Sequence, residues 1–197
     1  LMVGRAVRLV VDKKQALPSA EPRLILDGIS VASPNGTLAV QDLHLEVAGG
    51  EIVCIAGVQG NGQTELAEAL LGVTPVLKGS MRLDGKPITG LTPGETIDAG
   101  LGFVPEDRKQ DGCVGTFTVA ENLILNHFDK PPYARGIALD LAKIRQNADH
   151  RVAEFDIRTR SIESPVASLS GGNQQKVVLA RELSRPLALL VACQPTR

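Results

Sequence analysis

Apolar and polar positions alternate through the early part of the chain. Residues 24–31 and 38–47 are rich in leucine and β-branched side chains, and the turn sequence SPNG at residues 33–36 separates them. Apolar residues at every second position are typical of a strand with one buried face. The pattern therefore predicts two strands around this turn.

A different pattern follows at residues 51–56, whose sequence is EIVCIA. This run is short, β-branched and continuously apolar after its first residue, which predicts a strand buried on both faces. A glycine-rich turn comes next, and residues 64–71 then carry apolar side chains at helical spacing. The order strand, glycine turn, helix is typical of phosphate-binding sites.

The rest of the chain contains further predicted elements and shows no internal repeat. Short apolar runs predict strands, and longer amphipathic runs predict helices. The predicted strands are residues 80–83, 101–104 and 187–192, and the predicted helices are residues 119–127, 139–157 and 173–183.

Composition limits the classes of protein. The chain has 197 residues, 43% hydrophobic and 22% charged, which suits one soluble domain. Its 21 basic and 22 acidic residues give a net charge of -1, which argues against a large nucleic-acid-binding surface. No apolar run approaches the roughly 20 residues that span a bilayer, and no signal peptide is visible. The cysteines (Cys54, Cys113 and Cys193) form no CxxC pair, which predicts a reducing compartment without a disulfide or metal framework.

The two ends suggest a piece of a longer polypeptide. The chain opens with Leu1 and closes shortly after the apolar run at residues 187–192. Residues 1–22 contain a polar, proline-bearing segment that is typical of a linker or the tail of an upstream domain. We expect the domain proper to occupy residues 23–197, with a core formed by residues 23–105 and 186–197 and a helical part over about 106–185.

The glycine loop at residues 57–64 matches the phosphate-binding pattern G-x-x-x-x-G-K-[ST] at every fixed position except 63, where glutamine replaces lysine. Its glycines let successive backbone N–H groups face one concavity, and the following helix adds its positive end. The hydroxyl of Thr64 is placed to meet Mg²⁺. The candidate nucleotide-binding residues are Gly57, Val58, Gln59, Gly60, Asn61, Gly62, Gln63, Thr64 and Glu65.

Gln63 weakens this site, because an amide donates a hydrogen bond but neutralises no phosphate charge. A charge-assisted bond of about 1.5–3 kcal/mol is exchanged for a neutral one of about 0.5–1.5 kcal/mol. The loss is larger in a transition state, where charge must be stabilised. A glycine-rich turn that binds nothing is the alternative, and the glycine spacing disfavours a dinucleotide site.

A second motif, LSGGNQQK at residues 169–176, leads into a predicted helix. Ser170 is placed to cap that helix, and the two glycines after it expose backbone N–H groups to an anion. By itself such a segment is also typical of an ordinary capped helix. The candidate residues of this motif are Leu169, Ser170, Gly171, Gly172, Asn173 and Gln174.

Together these motifs resemble the ATP-binding-cassette (ABC) transporter ATPases over residues 24–197. The segment AGGEIVCIAGVQGNGQTEL looks like the strand and P-loop, LSGGNQQK looks like the signature motif, and LALLVACQPTR looks like the Walker B strand. GFVPEDRKQDG is similar to the Q-loop region. Four segments are similar in sequence to the second, C-terminal ABC domain of the double-domain ATPases of simple-sugar and nucleoside importers: GNGQTEL, VPEDR, LSGGNQQK and QPTR.

The sequence departs from that family where the chemistry is concentrated. The magnesium aspartate and the catalytic glutamate expected after the Walker B strand are replaced by Cys193 and Gln194. Neither side chain can act as a carboxylate at neutral pH. Glu106 occupies the Q-loop glutamine position, and no aromatic side chain stands near Ser33, where the family stacks adenine. We therefore expect no confident catalytic residue in this chain.

The resemblance implies an α/β fold: a P-loop NTPase of the ABC nucleotide-binding type, with a mixed or antiparallel β subdomain and a helical signature subdomain, truncated at the C-terminus. It implies ATP and Mg²⁺ as cofactors, weakly held or absent at this chain's own site. The signature would instead serve ATP on a facing domain. The implied partners are an upstream ABC domain of the same polypeptide and transmembrane permease subunits, with no nucleic acid, at the cytoplasmic face of a membrane.

Two other classes stay open. One is a soluble ABC ATPase that acts on ribosomes or DNA, for which basic insertions or long helical arms are expected and are not seen. The other is an interaction module that has lost nucleotide binding. We interpret His44, His127 and His150 as structural or surface residues, Cys54 as a core residue and Cys113 as exposed. The run at residues 105–108 is the charged segment that we expect to be functional, at a membrane partner.

Overall fold

A computed structural model describes residues 19, 21–58 and 60–195. The predicted linker at residues 1–22 lies almost entirely outside this range. In the described part of the chain no helix is long and apolar enough to cross a bilayer.

The strands form two sheets and a small hairpin. A four-stranded antiparallel sheet has the order β2-β1-β3-β4, and β5 pairs with β8 in parallel, with Leu101 opposite Leu189. Both strands predicted around the SPNG turn are confirmed, as are those predicted at residues 80–83, 101–104 and 187–192. The strands are β1 Pro22–Ala32, β2 Leu38–Ala48, β3 Val76–Leu83, β4 Lys86–Pro87, β5 Leu101–Val104, β6 Ala134–Arg135, β7 Ala138–Leu139 and β8 Leu189–Ala192.

Five α-helices are present in the described residues, and three of them match predicted helices closely. The helix predicted at residues 119–127 ends at Asn122, because the backbone continues in turns closed by i to i+3 bonds such as His127 N to Ile124 O at 2.8 Å. The helices are α1 Gln63–Leu70, α2 Pro93–Asp98, α3 Val119–Asn122, α4 Leu141–Glu154 and α5 Gly171–Leu183.

Two hydrophobic cores hold these elements. The first lies between the four-stranded sheet and α1, and it includes Leu26, Ile29 and Met81. The second joins α3, α4 and α5 through residues such as Val119, Ala148 and Val177, all essentially inaccessible to solvent. The glycine loop therefore sits on the sheet core, whereas the second motif sits on the helical core.

The strand predicted at residues 51–56 is wrong. The structure gives this segment no regular secondary structure, and Ile52 and Ile55 are 81% and 52% exposed. The pattern identified a strand-forming sequence, but a strand buried on both faces needs neighbouring strands to pair with and other elements packed over each face. In the described ranges no strand pairs with it. Cys54, predicted to be a core residue, is consequently exposed.

Candidate functional site

The glycine loop uses left-handed backbone that its sequence permits. Gly60 and Gly62 have φ values of 90° and 94°, and Gly62 is the N-cap of α1. A Cβ at Gly62 would stand 2.3 Å from the carbonyl oxygen of Ala39 in β2. Only glycine allows both the turn and this approach, so the loop is held against the sheet.

The side chain of Gln63 folds back over its own loop. Its Nε2 atom donates to the carbonyl oxygen of Val58 over 3.5 Å, and it would stand 2.2 Å from a Cβ placed at Gly57. The amide therefore occupies the opening of the loop and brings no positive charge to it. Gln59, another predicted loop residue, lies outside the described residues.

An open cavity of about 470 Å³ lies beside this loop. Its walls come from the turn between β1 and β2 and from the loop itself, and none of the described residues in its lining is aromatic. They are Ser33, Asn35, Thr37, Leu38, Ala39, Gly60, Asn61 and Glu65.

The turn at the cavity wall is preorganised by its own hydrogen bonds. The Oδ1 atom of Asn35 accepts from Thr37 Oγ1 at 2.7 Å and from the Thr37 amide at 3.0 Å. The hydroxyls of Ser33 and Thr37 lie 2.9 Å apart. The cavity therefore offers fixed hydroxyl and amide groups where a flat apolar surface would be needed to stack a base.

The positions expected to bind magnesium lie at the ends of α1 and β8. Thr64 is exposed in the first turn of α1, next to the partly buried Glu65. Beyond β8, the Cys193 amide donates to Val104 O at 2.8 Å, and Gln194 is exposed with a φ of 47°.

Cys193 is a poor metal ligand at neutral pH. Burial raises the pKa of its thiol, and the negative charge of Glu106 raises that pKa further. The thiol therefore stays protonated, whereas an aspartate at the same place would be ionised. Glu106, the predicted Q-loop residue, therefore lies close enough to Cys193 for its charge to act on the thiol.

The second motif forms the start of α5, but Ser170 does not cap it as predicted. Ser170 is the N-cap residue by backbone conformation, yet its side chain accepts no backbone N–H of the helix. Its Oγ atom instead accepts from Asn173 Nδ2 at 2.9 Å. Asn173 is itself fixed, because its Oδ1 accepts from the Arg158 amide at 2.9 Å.

Exposure divides the remaining motif residues. Ser170 and Gly172 are exposed and Gly171 is partly exposed, so the helix presents its first amides outward. Leu169 and Gln174 are 8% and 5% exposed. Gln174 was predicted among the residues for a nucleotide, but its Nε2 donates inward to Val166 O and Leu169 O, both at 3.2 Å. Its side chain thus closes the helix start instead of facing a ligand.

Two residues near the start of α5, Arg108 and Gln175, were not among the candidate nucleotide or signature residues. The guanidinium of Arg108 lies against Gly171, where an added Cβ would be 2.3 Å from Nη2. Gln175 donates to Pro195 O at 3.3 Å, which joins α5 to the segment after β8. Arg108 belongs to the charged run at residues 105–108, which the sequence predicts to be functional. Nothing in the sequence distinguished Gln175 from any other glutamine in a helix.

The isolated histidines and Cys113 have ordinary surroundings. His44 lies between two exposed aspartates, Asp27 and Asp42, at 3.1 and 3.3 Å. Burial, and secondarily the nearby Arg185, lowers the pKa of His127. Cys113, predicted to be exposed, packs against the helical core instead, and this burial raises its pKa. The turn around it is polar, but its side chain points inward.

Comparisons with known proteins agree with this arrangement. The family model described as ABC transporter matches residues 40–197. Among curated proteins, the chain is similar to the guanosine import ATP-binding protein NupO of Bacillus subtilis (strain 168), at 43% identity over 197 residues. It is also similar to the nucleoside import ATP-binding protein NupA of Lactococcus lactis subsp. cremoris (strain MG1363), at 44%, and to the ribose import ATP-binding protein RbsA of Chromobacterium violaceum, at 40%.

Each of these alignments covers 100% of this chain but only 38%, 39% and 38% of the relative. The chain therefore spans about two fifths of the length of the curated relatives it matches. Among solved structures, the dimeric post-hydrolysis state of the ATP-binding cassette MJ0796 bound to ADP and Pi matches with a TM-score of 0.72 at 24% identity. That match covers 88% of this chain and 74% of the cassette.

The predicted fold class is confirmed: this is the mixed α/β P-loop fold of ABC cassettes. By family match and by fold, the chain belongs to the ABC transporter family.

Proposed function

We propose that this chain is the ATP-binding domain of a sugar or nucleoside importer, in which its own nucleotide site is degenerate and its signature serves ATP held by a facing ABC domain. The observation that carries the proposal is the contrast between the two sites. The signature presents an oriented hydroxyl and open amides, whereas the chain's own loop is occupied by Gln63.

The signature geometry suits an anion. Because Ser170 Oγ accepts from Asn173 Nδ2, the proton of its hydroxyl is available to donate away from the protein. The amides of Gly171 and Gly172 begin α5, whose N-terminal end carries partial positive charge. Three donors and a helix dipole at an exposed surface match phosphate oxygens supplied from outside the chain.

The chain's own site lacks each charged group that phosphoryl transfer requires. Gln63 replaces the lysine, and Cys193 and Gln194 replace the two carboxylates. The raised pKa of Cys193 keeps that position neutral. ATP and Mg²⁺ are therefore bound weakly or not at all here, and hydrolysis takes place on the other domain.

The partners follow from the relatives. Those relatives are named for import of guanosine, nucleosides and ribose, and each is more than twice as long as the matched region. We propose an upstream ABC domain in the same polypeptide, permease subunits in the membrane and a position on its cytoplasmic face. We also propose that residues 1–22 form the linker and that residues 23–197 form the ABC domain.

The test is ATPase activity of the assembled two-domain transporter carrying substitutions in either site. Ser170→Arg places a bulky cation over the outward donors, and we expect turnover to fall about 100-fold or more. Gln63→Ala, in the degenerate loop, should change turnover less than about threefold. Ser168→Arg is the matched control, because it introduces the same side chain at an exposed serine just before the motif.

If Gln63→Ala abolishes turnover while Ser170→Arg leaves it intact, the roles of the two sites are reversed and the proposal is wrong. Equal losses in Ser170→Arg and Ser168→Arg would assign the effect to surface charge instead of the signature.

A second candidate, an interaction module without nucleotide binding, is favoured by the placement of Gln63 across its loop and by the cavity lining without aromatic side chains. Titration of a fluorescent ATP analogue into the two-domain transporter separates the two, since only the first predicts saturable binding that Ser170→Arg weakens. Co-purification with membrane permeases tests the remaining class, because a soluble ABC ATPase would not co-purify with them, whereas an importer ATPase would.

A further inference from the structure

The loop between β5 and the helical core lies along the signature helix α5. At its far end, a Cβ on Gly112 would stand 3.1 Å from Val178 Cγ2 and 3.2 Å from Pro105 Cγ. Near its start, the Arg108 guanidinium lies against Gly171, the first residue of α5. The loop, residues 105–112, therefore contacts α5 from its N-terminus to its middle.

A buried arginine fixes the end of this loop to the helix. Arg181 is 7% exposed, and its Nη1 donates to Gly112 O at 2.9 Å. Its Nε donates to Oε1 of Glu182, also at 2.9 Å. The planar guanidinium thus holds the loop backbone and the helix side chain in one fixed fork.

Glu182 extends the same network to two other elements. Its side chain is 3% exposed, and its Oε1 accepts from Asn126 Nδ2 at 2.8 Å. Its Oε2 accepts from the Phe103 amide in β5 at 3.4 Å and lies 3.3 Å from Arg185 Nη2. One carboxylate therefore joins α5, β5 and the turns that follow α3.

This network is better suited to fixing geometry than to adding stability. Two buried guanidinium groups share a single carboxylate, and the Ile97 carbonyl oxygen accepts from Arg185 Nη1 at 2.9 Å, while Arg185 Nε is buried without a hydrogen-bond partner among the described residues. Desolvation offsets much of the attraction in a buried ion network. The hydrogen bonds that these buried side chains do make hold α5, β5 and the loop in one arrangement.

We propose that Arg181 is a positioning residue that makes the loop at residues 105–112 and the start of α5 move as one unit. A displacement applied to the loop by a partner is then delivered to Ser170, Gly171 and Gly172 at the other end of the helix. The role of those residues toward a facing nucleotide rests on the proposed function. The mechanical link within this chain does not.

The first experiment measures that link in the chain alone, by hydrogen exchange. Asp107→Ala loosens the loop, because the Asp107 carboxylate accepts the amides of Lys109 and Gln110 at 2.8 and 3.2 Å. We expect exchange to rise about threefold or more both in the loop and at residues 170–176. In an Arg181→Gln background, Asp107→Ala should still loosen the loop but change residues 170–176 less than about 1.5-fold.

Arg151→Gln is the matched control, since Arg151 lies on α4 in the helical part and pairs with Glu154 at 2.6 Å. In that background the signature should respond as in the wild type. The proposal is overturned if residues 170–176 ignore Asp107→Ala in the wild type, or if they respond equally with Arg181→Gln. Arg181→Lys keeps the positive charge but cannot make both hydrogen bonds of the guanidinium, so residues 170–176 should show an intermediate response. This variant replaces Arg181→Gln if Arg181→Gln does not fold.

The second experiment uses the complete transporter and compares basal ATPase activity with activity stimulated by its transport substrate. We expect Arg181→Gln to reduce the ratio of stimulated to basal activity about fivefold or more, with basal activity changed less than about twofold. A substitution that only destabilises the protein lowers basal and stimulated activity together. Any effect of the Arg151→Gln control on ATPase activity should therefore leave the ratio of the two activities unchanged. Proportional loss in both activities overturns the link to function, while the exchange experiment still tests the link within the chain.

Discussion

Restoring lysine at position 63 tests whether the glycine loop is still a phosphate cradle. In the structure the Gln63 amide lies over the loop opening, 3.5 Å from Val58 O, and adds no charge. A lysine there would extend an ammonium group towards any phosphate held by the loop amides. Exchanging a neutral bond for a charge-assisted one gains about 1 kcal/mol after allowance for solvent screening at this half-exposed position.

That gain corresponds to about fivefold tighter binding of ATP. The measurement is isothermal titration of the Gln63→Lys variant and the wild type with ATP, at low and at high salt. The gain should shrink as salt rises, because exposed charges are screened. Gln63→Met is the matched control, since it keeps the side-chain length but loses both the hydrogen bond and the charge, and it should bind no more tightly than the wild type.

Hydrolysis should not return with binding, because Cys193 and Gln194 still supply no carboxylate. If Gln63→Lys folds like the wild type but binds ATP no more tightly, the loop amides do not converge on phosphate and the reasoning fails. A Gln63→Lys variant that hydrolyses ATP at the rate of an ordinary cassette would equally refute the role given to the missing carboxylates.

The other predictions concern stability and reactivity. Gly62→Ala should lower the free energy of unfolding by about 2 kcal/mol in urea denaturation, since its φ is 94° and a Cβ would clash with a backbone carbonyl of β2. Gly60→Ala, with open space around a similar φ, should lose only about 1 kcal/mol. Thr118→Ala removes the capping box of α3 and should lower the same free energy by about 1 kcal/mol. In disulfide-exchange labelling near pH 8, Cys54 should react first, because burial raises the pKa of Cys113 and lowers its thiolate fraction; equal rates would contradict this order.

Local signals in the sequence predicted most of the fold. The strand pair around the SPNG turn, the helix after the glycine loop and α5 all follow from periodicity and turn residues within one short window. The glycine loop and the LSGGNQQK motif were also recognised locally, because each is a short run of consecutive residues. Features that depend on a few neighbouring residues can therefore be predicted from the sequence alone.

Features that depend on distant partners were predicted poorly. The segment at residues 51–56 has the composition of a central strand, but its burial depends on strands elsewhere. Ser170 has the residue type of a cap, yet Asn173 takes its hydroxyl for a different bond. Cys113 stands in a polar turn, but the fold points it into the helical core. For residues 51–56 and Cys113 the deciding contacts are distant in sequence, whereas for Ser170 the deciding contact is a side chain three residues away, which residue type alone does not reveal.

The exposed run at residues 51–58 affects how the chain behaves at high concentration. It has no regular secondary structure and no partner strand in the described residues, and Ile52, Val53 and Ile55 are 81%, 39% and 52% exposed. An apolar, β-branched segment of this length is a template for strand addition between molecules. Samples of the chain should self-associate as concentration rises, and a lysine in place of Ile52 should suppress that association more than it alters the fold.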